Sequence, residues 1–359
     1  MKNTFIIRGT IEAQSPLATA NKELIDQGKK LYGAYSPIPV PSFDSAKGKS
    51  LYFPATGLRG TLRRALRDIM RDNLIKRGSE GLLLDEHYFL TLGGIKGSGP
   101  ENRSTVAQEE HWRIRNVLLS LFGAGDAGAL NFVTGKLAID NAICEPNLSP
   151  MTIAGTRTDD LYRDRTGLNF LVSSELKELV TRAEGNSAAS AIRKQINSAE
   201  IKLRTAKRND TETQPIQDEL NELNEKLEKT LKASNASSVS VGMPLAGFQA
   251  IPPFSVMDHK IKLFNATAVE LGGMLAALGK LSLNPTVGGH IALGCGEIKA
   301  NYDVLKVTAD GLVKLASIEI GGFEPMTVAE QTEEFDQAIK AFADYLDSED
   351  FDISIPHAL

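Results

Sequence analysis

The chain has 359 residues, 42% of them hydrophobic and 24% charged, with a formal net charge of −5, which is the balance of a globular protein with one large or two ordinary domains. Two cysteines, Cys144 and Cys295, exclude a disulfide framework or a cysteine-built zinc site, and five scattered histidines without an H-x-x-x-H pair suggest no metal and no cofactor. No stretch approaches a membrane span and the N-terminal apolar run is too short for a signal peptide, so a cytoplasmic protein with no membrane partner is expected.

In chain order, Thr4 to Gln14 alternates as a strand, and 15–50 is a long excursion rich in proline, glycine and serine. Residues 57–77 follow as a helix whose Leu58, Leu62, Leu66, Ile69 and Leu74 form an apolar stripe, with Thr56 placed to cap it. Arginines recur at every fourth position, Arg59, Arg63, Arg67 and Arg71, and are expected to face outward as a ridge. Between 57 and 77 there are seven basic residues against two acidic ones, a local balance of +5. Pairs such as Arg64 with Asp68 account for part of this as an ordinary solvated helix. The other part fits a cradle for phosphate.

A Gly-rich loop at 93–99 precedes a helix from Glu109 to Leu121, and Lys136 to Ile143 reads as one strand. Between 171 and 240, Ile192, Ile196, Ala199 and Leu203, then Ile216, Leu220, Leu223, Leu227 and Leu231, step by four and three as a coiled-coil seam does. Two antiparallel helices are expected there, turning near Asn209-Asp210, as an inserted arm that packs on itself or touches a neighbouring copy or subunit. A loop from Val241 to Val256, strands over 260–267 and 298–307, and an apolar helix-like stretch before Asn284 complete the body. Asn284 to Gly296 is a second Gly-rich loop. Gly288, Gly289, Gly294 and Gly296 permit close approach and can present amides to phosphates. It lacks the Lys-Ser/Thr ending of a P-loop and precedes a strand, which excludes both nucleotide hydrolysis by a P-loop and a dinucleotide fingerprint. From Glu324 to Asp352 there are ten acidic residues and one lysine, so the rest of the chain carries about +4. Phe335, Ile339, Phe342 and Leu346 give this segment the spacing of an amphipathic helix docked with its charges outward.

Four segments in this order resemble the RAMP superfamily of CRISPR proteins, and within it the guide-RNA-binding backbone subunits. Phe53 to Arg63 is similar to that family's Pro-x-Ser/Thr-x-Leu-Lys/Arg-Gly-x-Leu/Phe-Arg motif. Leu121-Phe122-Gly123 with Gly135 to Ala142 is similar to its Phe-Gly, Gly-x-Leu and Asp-x-Ala segment. Arg157 to Gly167 is similar to the Arg-x-x-x-Asp-Arg-x-x-Gly stretch near the thumb. The fourth is the loop at 284–296 with the preceding Val269 to Gly279. The resemblance implies an α+β fold, a ferredoxin-like or RRM-like palm with thumb and finger insertions and an inserted helical hairpin. Its implied divisions are palm, fingers and start of the thumb over 1–170, the hairpin over 171–240, the rest of thumb and palm over 241–308, and the acidic segment over 309–359.

The function so implied is binding without catalysis. Several copies would line one guide RNA, and Thr56, Gly57, Arg59, Arg63, Arg67, the glycines of the second loop and thumb arginines Arg157, Arg163 and Arg165 would hold its backbone. Partners would be further copies, other effector subunits at the ends, the target nucleic acid through the guide, and a helicase if the complex is of type IV, which the large size and helical insertion favour. The runner-up is a type III backbone subunit that cuts target RNA with a loop aspartate, Asp26 or Asp44. Two other classes are a guide-processing endoribonuclease using His111 or His290 and a purely structural protein assembled through the helical arm.

Overall fold

The central strand of the main sheet is β1 (Asn3–Ala13), whose inward residues Phe5, Ile7, Ile11 and Ala13 are buried. A computed structural model describes residues 2–19, 37–93, 105–125, 133–158, 172–208, 213–233 and 242–354. Among these the strands are β2 (Ser42–Ser45), β3 (Gly48–Phe53), β4 (Leu137–Ile139), β5 (Ala142–Pro146), β6 (Met151–Thr158), β7 (Gly242–Ala250), β8 (Val256–Ala266), β9 (Ile298–Thr308), β10 (Gly311–Ile320) and β11 (Thr327–Ala329). Nine of them form one sheet in the order β11-β10-β9-β1-β8-β5-β3-β2, with β4 also on β8, and every pairing is antiparallel. Alternation along β1 fixes its register, Ile7 lying opposite Ile261 of β8 and Val304 of β9, because a one-residue slip would turn the apolar row to solvent.

Helices cover the apolar face. The helices of the described residues are α1 (Ala55–Lys76), α2 (Leu84–Leu92), α3 (Val106–Arg115), α4 (Val117–Phe122), α5 (Ser173–Arg208), α6 (Gln214–Ala233), α7 (Ala268–Leu283) and α8 (Glu333–Asp347), of which all but α5 and α6 belong with the main sheet. Helix α7 is mostly apolar and packs against both α1 and α8. It starts at a capping box in which the Thr267 hydroxyl accepts from the Glu270 amide and the Glu270 carboxylate from the Thr267 amide. That same carboxylate, 4% exposed, accepts from the Ser120 hydroxyl and from Lys136 Nζ at 2.7 Å. The architecture is therefore α+β, an antiparallel sheet with flanking helices.

The chain forms two units, Met1–Ala154 with Ala246–Leu359, and Gly155–Leu245. The first holds the main sheet and its helices. The second holds the helical pair α5 and α6, whose Ala189, Ile192, Ala199, Ala206 and Leu220 are buried. β6 and β7 pair with each other outside the main sheet.

Four expectations are corrected. The helix expected over 109–121 is two, broken at Asn116 (φ −133°, ψ 96°), whose side chain caps α4 by accepting from the Leu119 amide at 3.0 Å. The strand expected over 136–143 is β4 and β5, interrupted at Asp140-Asn141, where both side chains are used elsewhere. The segment 242–250, expected as loop, is strand β7. Ile339, expected on the buried stripe of α8, is 43% exposed, and Ala338 and Tyr345 take its place beside Phe335 and Phe342. No described helix is long and apolar enough to cross a membrane.

Candidate nucleic-acid interface

Helix α1 begins two residues earlier than its sequence suggests. Pro54 is the N-cap, with φ −66° and ψ 137°, and no side chain of its own caps the turn. The cap comes from a distance: Asn141 Oδ1 accepts from the Ala55 amide at 2.8 Å. Thr56 therefore sits inside the first turn, exposed, and the expectation that it caps the helix is corrected. No acidic residue occupies that turn, so the positive end of the helix is uncompensated by a carboxylate of α1.

The arginine ridge does not face outward. Arg63 is 8% exposed, and all three of its guanidinium nitrogens donate to main-chain carbonyls: Nε to Leu90 at 2.7 Å, one Nη to Gly123 and the other to Phe89, each at 3.1 Å. Arg59 is half-buried and donates to the carbonyls of Leu137 at 3.0 Å and Phe122 at 2.6 Å. Both guanidinium groups lie over the Phe122 ring, 5.4 and 5.9 Å from its centroid. Burial, and then the neighbouring Arg59 charge, pushes Arg63 down to about 10, which leaves it charged at neutral pH. Arg67 is held by Asp68 and Thr91, and Arg71 by Asp68 and Asp72. Two of these charges, Arg59 and Arg63, are thus taken into the fold and two are matched by Asp68 and Asp72, while Arg64, Lys76 and Arg77 stay exposed. Arg59, with two of its five N–H groups in these bonds and part of its surface open, is the member of the buried pair that retains capacity for a ligand.

The glycine loop is corrected in the same sense. Three of its four amides donate within the chain: Gly289 to Ala18 at 2.9 Å, Gly294 to Ile291 at 2.9 Å and Gly296 to Pro16 at 3.0 Å. Two of its glycines, Gly288 and Gly296, serve close approach instead. At Gly288 (φ 83°) a Cβ would lie 2.5 Å from the Ala18 carbonyl and 3.0 Å from the Phe53 ring. The exposed tip of the loop carries Ile291 and Leu293, 54% and 62% exposed.

Phe53 joins the two motifs. The same ring is 3.0 Å from a Cβ placed on Gly57, so it lies between the first turn of α1 and the glycine loop, in tight contact at Gly57, while at Gly288 the positive φ and the Ala18 carbonyl require glycine. Three sequence segments then meet: 53–63 through Phe53 and the arginines, 121–142 through the carbonyls of Phe122, Gly123 and Leu137 and the Asn141 cap, and 284–296 through Gly288. The roles of Phe53, Phe122 and Asn141 escaped sequence reading, although each stands within a quoted motif. Of the thumb arginines, Arg157 lies in β6 with no side chain described, and Arg163 and Arg165 lie outside the described residues.

The residues considered for catalysis are placed apart. Asp44 stands in β2 opposite Lys49, on a strand rather than a loop, and Asp26 lies outside the described residues. His290 stacks on Phe248 with centroids 3.8 Å apart, and His111 meets Trp112 edge-on.

No family model matches the chain, and no curated protein matches it. Among solved structures, a chain described as belonging to a Type IV-B CRISPR complex is similar with a TM-score of 0.43 and 12% identity, over 83% of this chain and 90% of that one.

Proposed function

We propose that this chain is a non-catalytic guide-RNA-binding subunit, which oligomerises along a guide RNA as the backbone of a CRISPR effector complex, of type IV, and leaves the guide bases free to pair with a target. The observation that carries this reading is the convergence at Phe53 and α1 of three of the four segments by which the sequence resembles that family. Segments separated by more than 60 and 200 residues would have no reason to interlock if each motif were a chance match. At their junction the first turn of α1, with Thr56 exposed and no carboxylate of its own, stands beside Gly288 and the partly open Arg59. That is a surface for a sugar-phosphate backbone rather than for base edges. Sequence discrimination falls to base pairing, and the partners are further copies, end subunits, the target strand and a helicase.

Thr56→Glu tests this without touching the core, because a carboxylate in the first turn favours the helix while repelling phosphate. The variant is expected to keep its thermal stability and to lose most co-purifying RNA. Unchanged RNA content would exclude the α1 end from the interface.

A further inference from the structure

The end of the main sheet where β1 and β10 finish and β8 and β9 begin leaves four apolar side chains in solvent. Phe254 is 74% exposed, Val256 49%, Phe323 54%, and Leu283, in the last turn of α7, 49%. The strand register sets them along one line. Val256 lies opposite Glu12, Glu12 opposite Lys299, and Lys299 is followed across the sheet by Gly321, whose Cβ would stand 3.1 Å from the Lys299 Cα. Phe254 is two residues before this row and Phe323 two residues after it, and three strand spacings, about 14 Å, separate its ends. At the Phe323 end the Ser282 hydroxyl donates to the Glu324 carbonyl and accepts from the Gly321 amide, which holds the 321–324 turn against the last turn of α7.

Both phenylalanines are in the left-handed region, Phe254 at φ 62° and Phe323 at φ 59°, a conformation that is costly for a bulky side chain and that glycine adopts freely. Neither ring offsets this by burial. An exposed aromatic held in strain points to a contact made outside the chain. The charge along the line is negative. Glu12, Glu297, Glu319 and Glu324 stand on it against Lys299, which is bound to Glu319 at 2.5 Å and also feels Glu12. Lys280, in the last turn of α7, is taken by Asp72 at 3.5 Å, so the negative end of that helix adds to the same field.

We infer that this end of the sheet docks a short basic segment of a partner protein, with apolar side chains flanking an arginine. The inference goes beyond the guide-binding reading and does not depend on it. Charge complementarity selects the occupant: the carboxylates repel an RNA backbone, and a second copy meeting the line symmetrically would bring the same carboxylates against them. A guanidinium satisfies both the carboxylates and the ring faces. Alternate residues of an extended segment share one side and advance about 7 Å, so an apolar residue, an arginine and a second apolar residue on that side match the length of the line.

The test titrates the full chain, after nuclease treatment, into a fluorescent peptide Leu-Ser-Arg-Ser-Leu-Ser-Arg-Ser-Leu and reads its anisotropy. The same peptide with glutamate for arginine, and a single-stranded RNA of guide length, are the comparison probes. One variant combines Phe254→Gly with Phe323→Gly, and a second combines Glu12→Lys with Glu324→Lys. The parent is expected to bind the arginine peptide at least about tenfold more tightly than either variant and to leave the glutamate peptide free. The glycine variant is expected to melt no lower than the parent, because it relieves the left-handed strain and uncovers nothing. No binding by the parent, or equal binding by parent and variants, would overturn the docking edge. A glycine variant that melts well below the parent would overturn it in favour of a structural role for the rings, and loss of self-association or of RNA binding in that variant would overturn it in favour of a second copy or a nucleic-acid face. RNA co-purifying before nuclease treatment is expected to be unchanged in both variants, so a failure of this edge and a failure of guide binding are read separately.

Discussion

Arg63 shows how a residue type associated with phosphate becomes part of the scaffold. Its planar fork reaches the carbonyls of Phe89, Leu90 and Gly123 at once, which ties α1 to the end of α2 and the end of α4. Truncation would take the Arg63 donors from the Leu90 and Gly123 carbonyls and leave the Phe89 carbonyl with the Gly93 amide alone, so Arg63→Ala is expected to destabilise the protein by about 3 kcal/mol, read as a lowered urea midpoint. Arg63→Lys retains the charge but loses the fork, and is expected to recover only part of that. A variant as stable as the parent would contradict the scaffold role. His259 is the other buried polar residue with a measurable consequence. It hydrogen-bonds Tyr302 through Nδ1 at 2.8 Å, across Gly9 of β1, where any Cβ would overlap the Asn301 carbonyl. Its Nε2 has no partner among the described residues. Burial, opposed by Asp140, pushes its pKa from the usual 6.5 down to about 4. Between those values the unfolded chain takes up a proton that the folded one refuses. Stability is therefore complete above pH 6.5 and falls with acidification to pH 4, by about 3 kcal/mol from this group. Urea midpoints between pH 7 and 4.5 are expected to fall less steeply in His259→Gln than in the parent; equal slopes would rule the histidine out.

At the scale of elements, the α7–α8 contact sets the clearest expectation. Gly272 lies where any Cβ would overlap the Ala338 carbonyl oxygen and come within 2.7 Å of Phe342, whereas Gly279 of the same helix has nothing within 4 Å. Gly272→Ala is expected to cost about 2 kcal/mol or more through forced separation of the helices. Gly279→Ala is expected to be neutral or to stabilise by about 0.5–1 kcal/mol, since alanine is the better helix former. Equal melting temperatures for the two variants would show that α8 is not seated as described. The same comparison explains what could be read in the sequence. Helices α1, α5, α6 and α8 were legible because each has a long apolar stripe at helical spacing, and β1 because it alternates. The orientation of the arginines was misread for a geometric reason. A step of four residues advances about 40° beyond a full turn, so the repeat drifts around α1. Arg59 and Arg63 therefore fall beside Leu66 and Met70 on the inward side, whereas Arg71 is carried toward solvent. The break at Asn116 and the interruption at Asp140-Asn141 were not legible, because each depends on where a short polar side chain finds a partner. Asn141 finds its partner 86 residues away, at the Ala55 amide.

For the whole molecule, the formal charge of −5 conceals a segregated distribution, with the acidic residues concentrated from Glu324 onward and on the first half of α6. An RNA held through phosphate contacts releases counterions, so its retention should weaken steeply as salt is raised. The central claim is that the chain lines a guide RNA in several copies. The most direct measurement is the mass and nucleic-acid content of the full chain purified with its cellular nucleic acid, by size exclusion with light scattering and gel analysis of the RNA. A multimer holding discrete RNA of guide length is the expected result, and an RNA-free monomer that also fails to bind added guide RNA would contradict it.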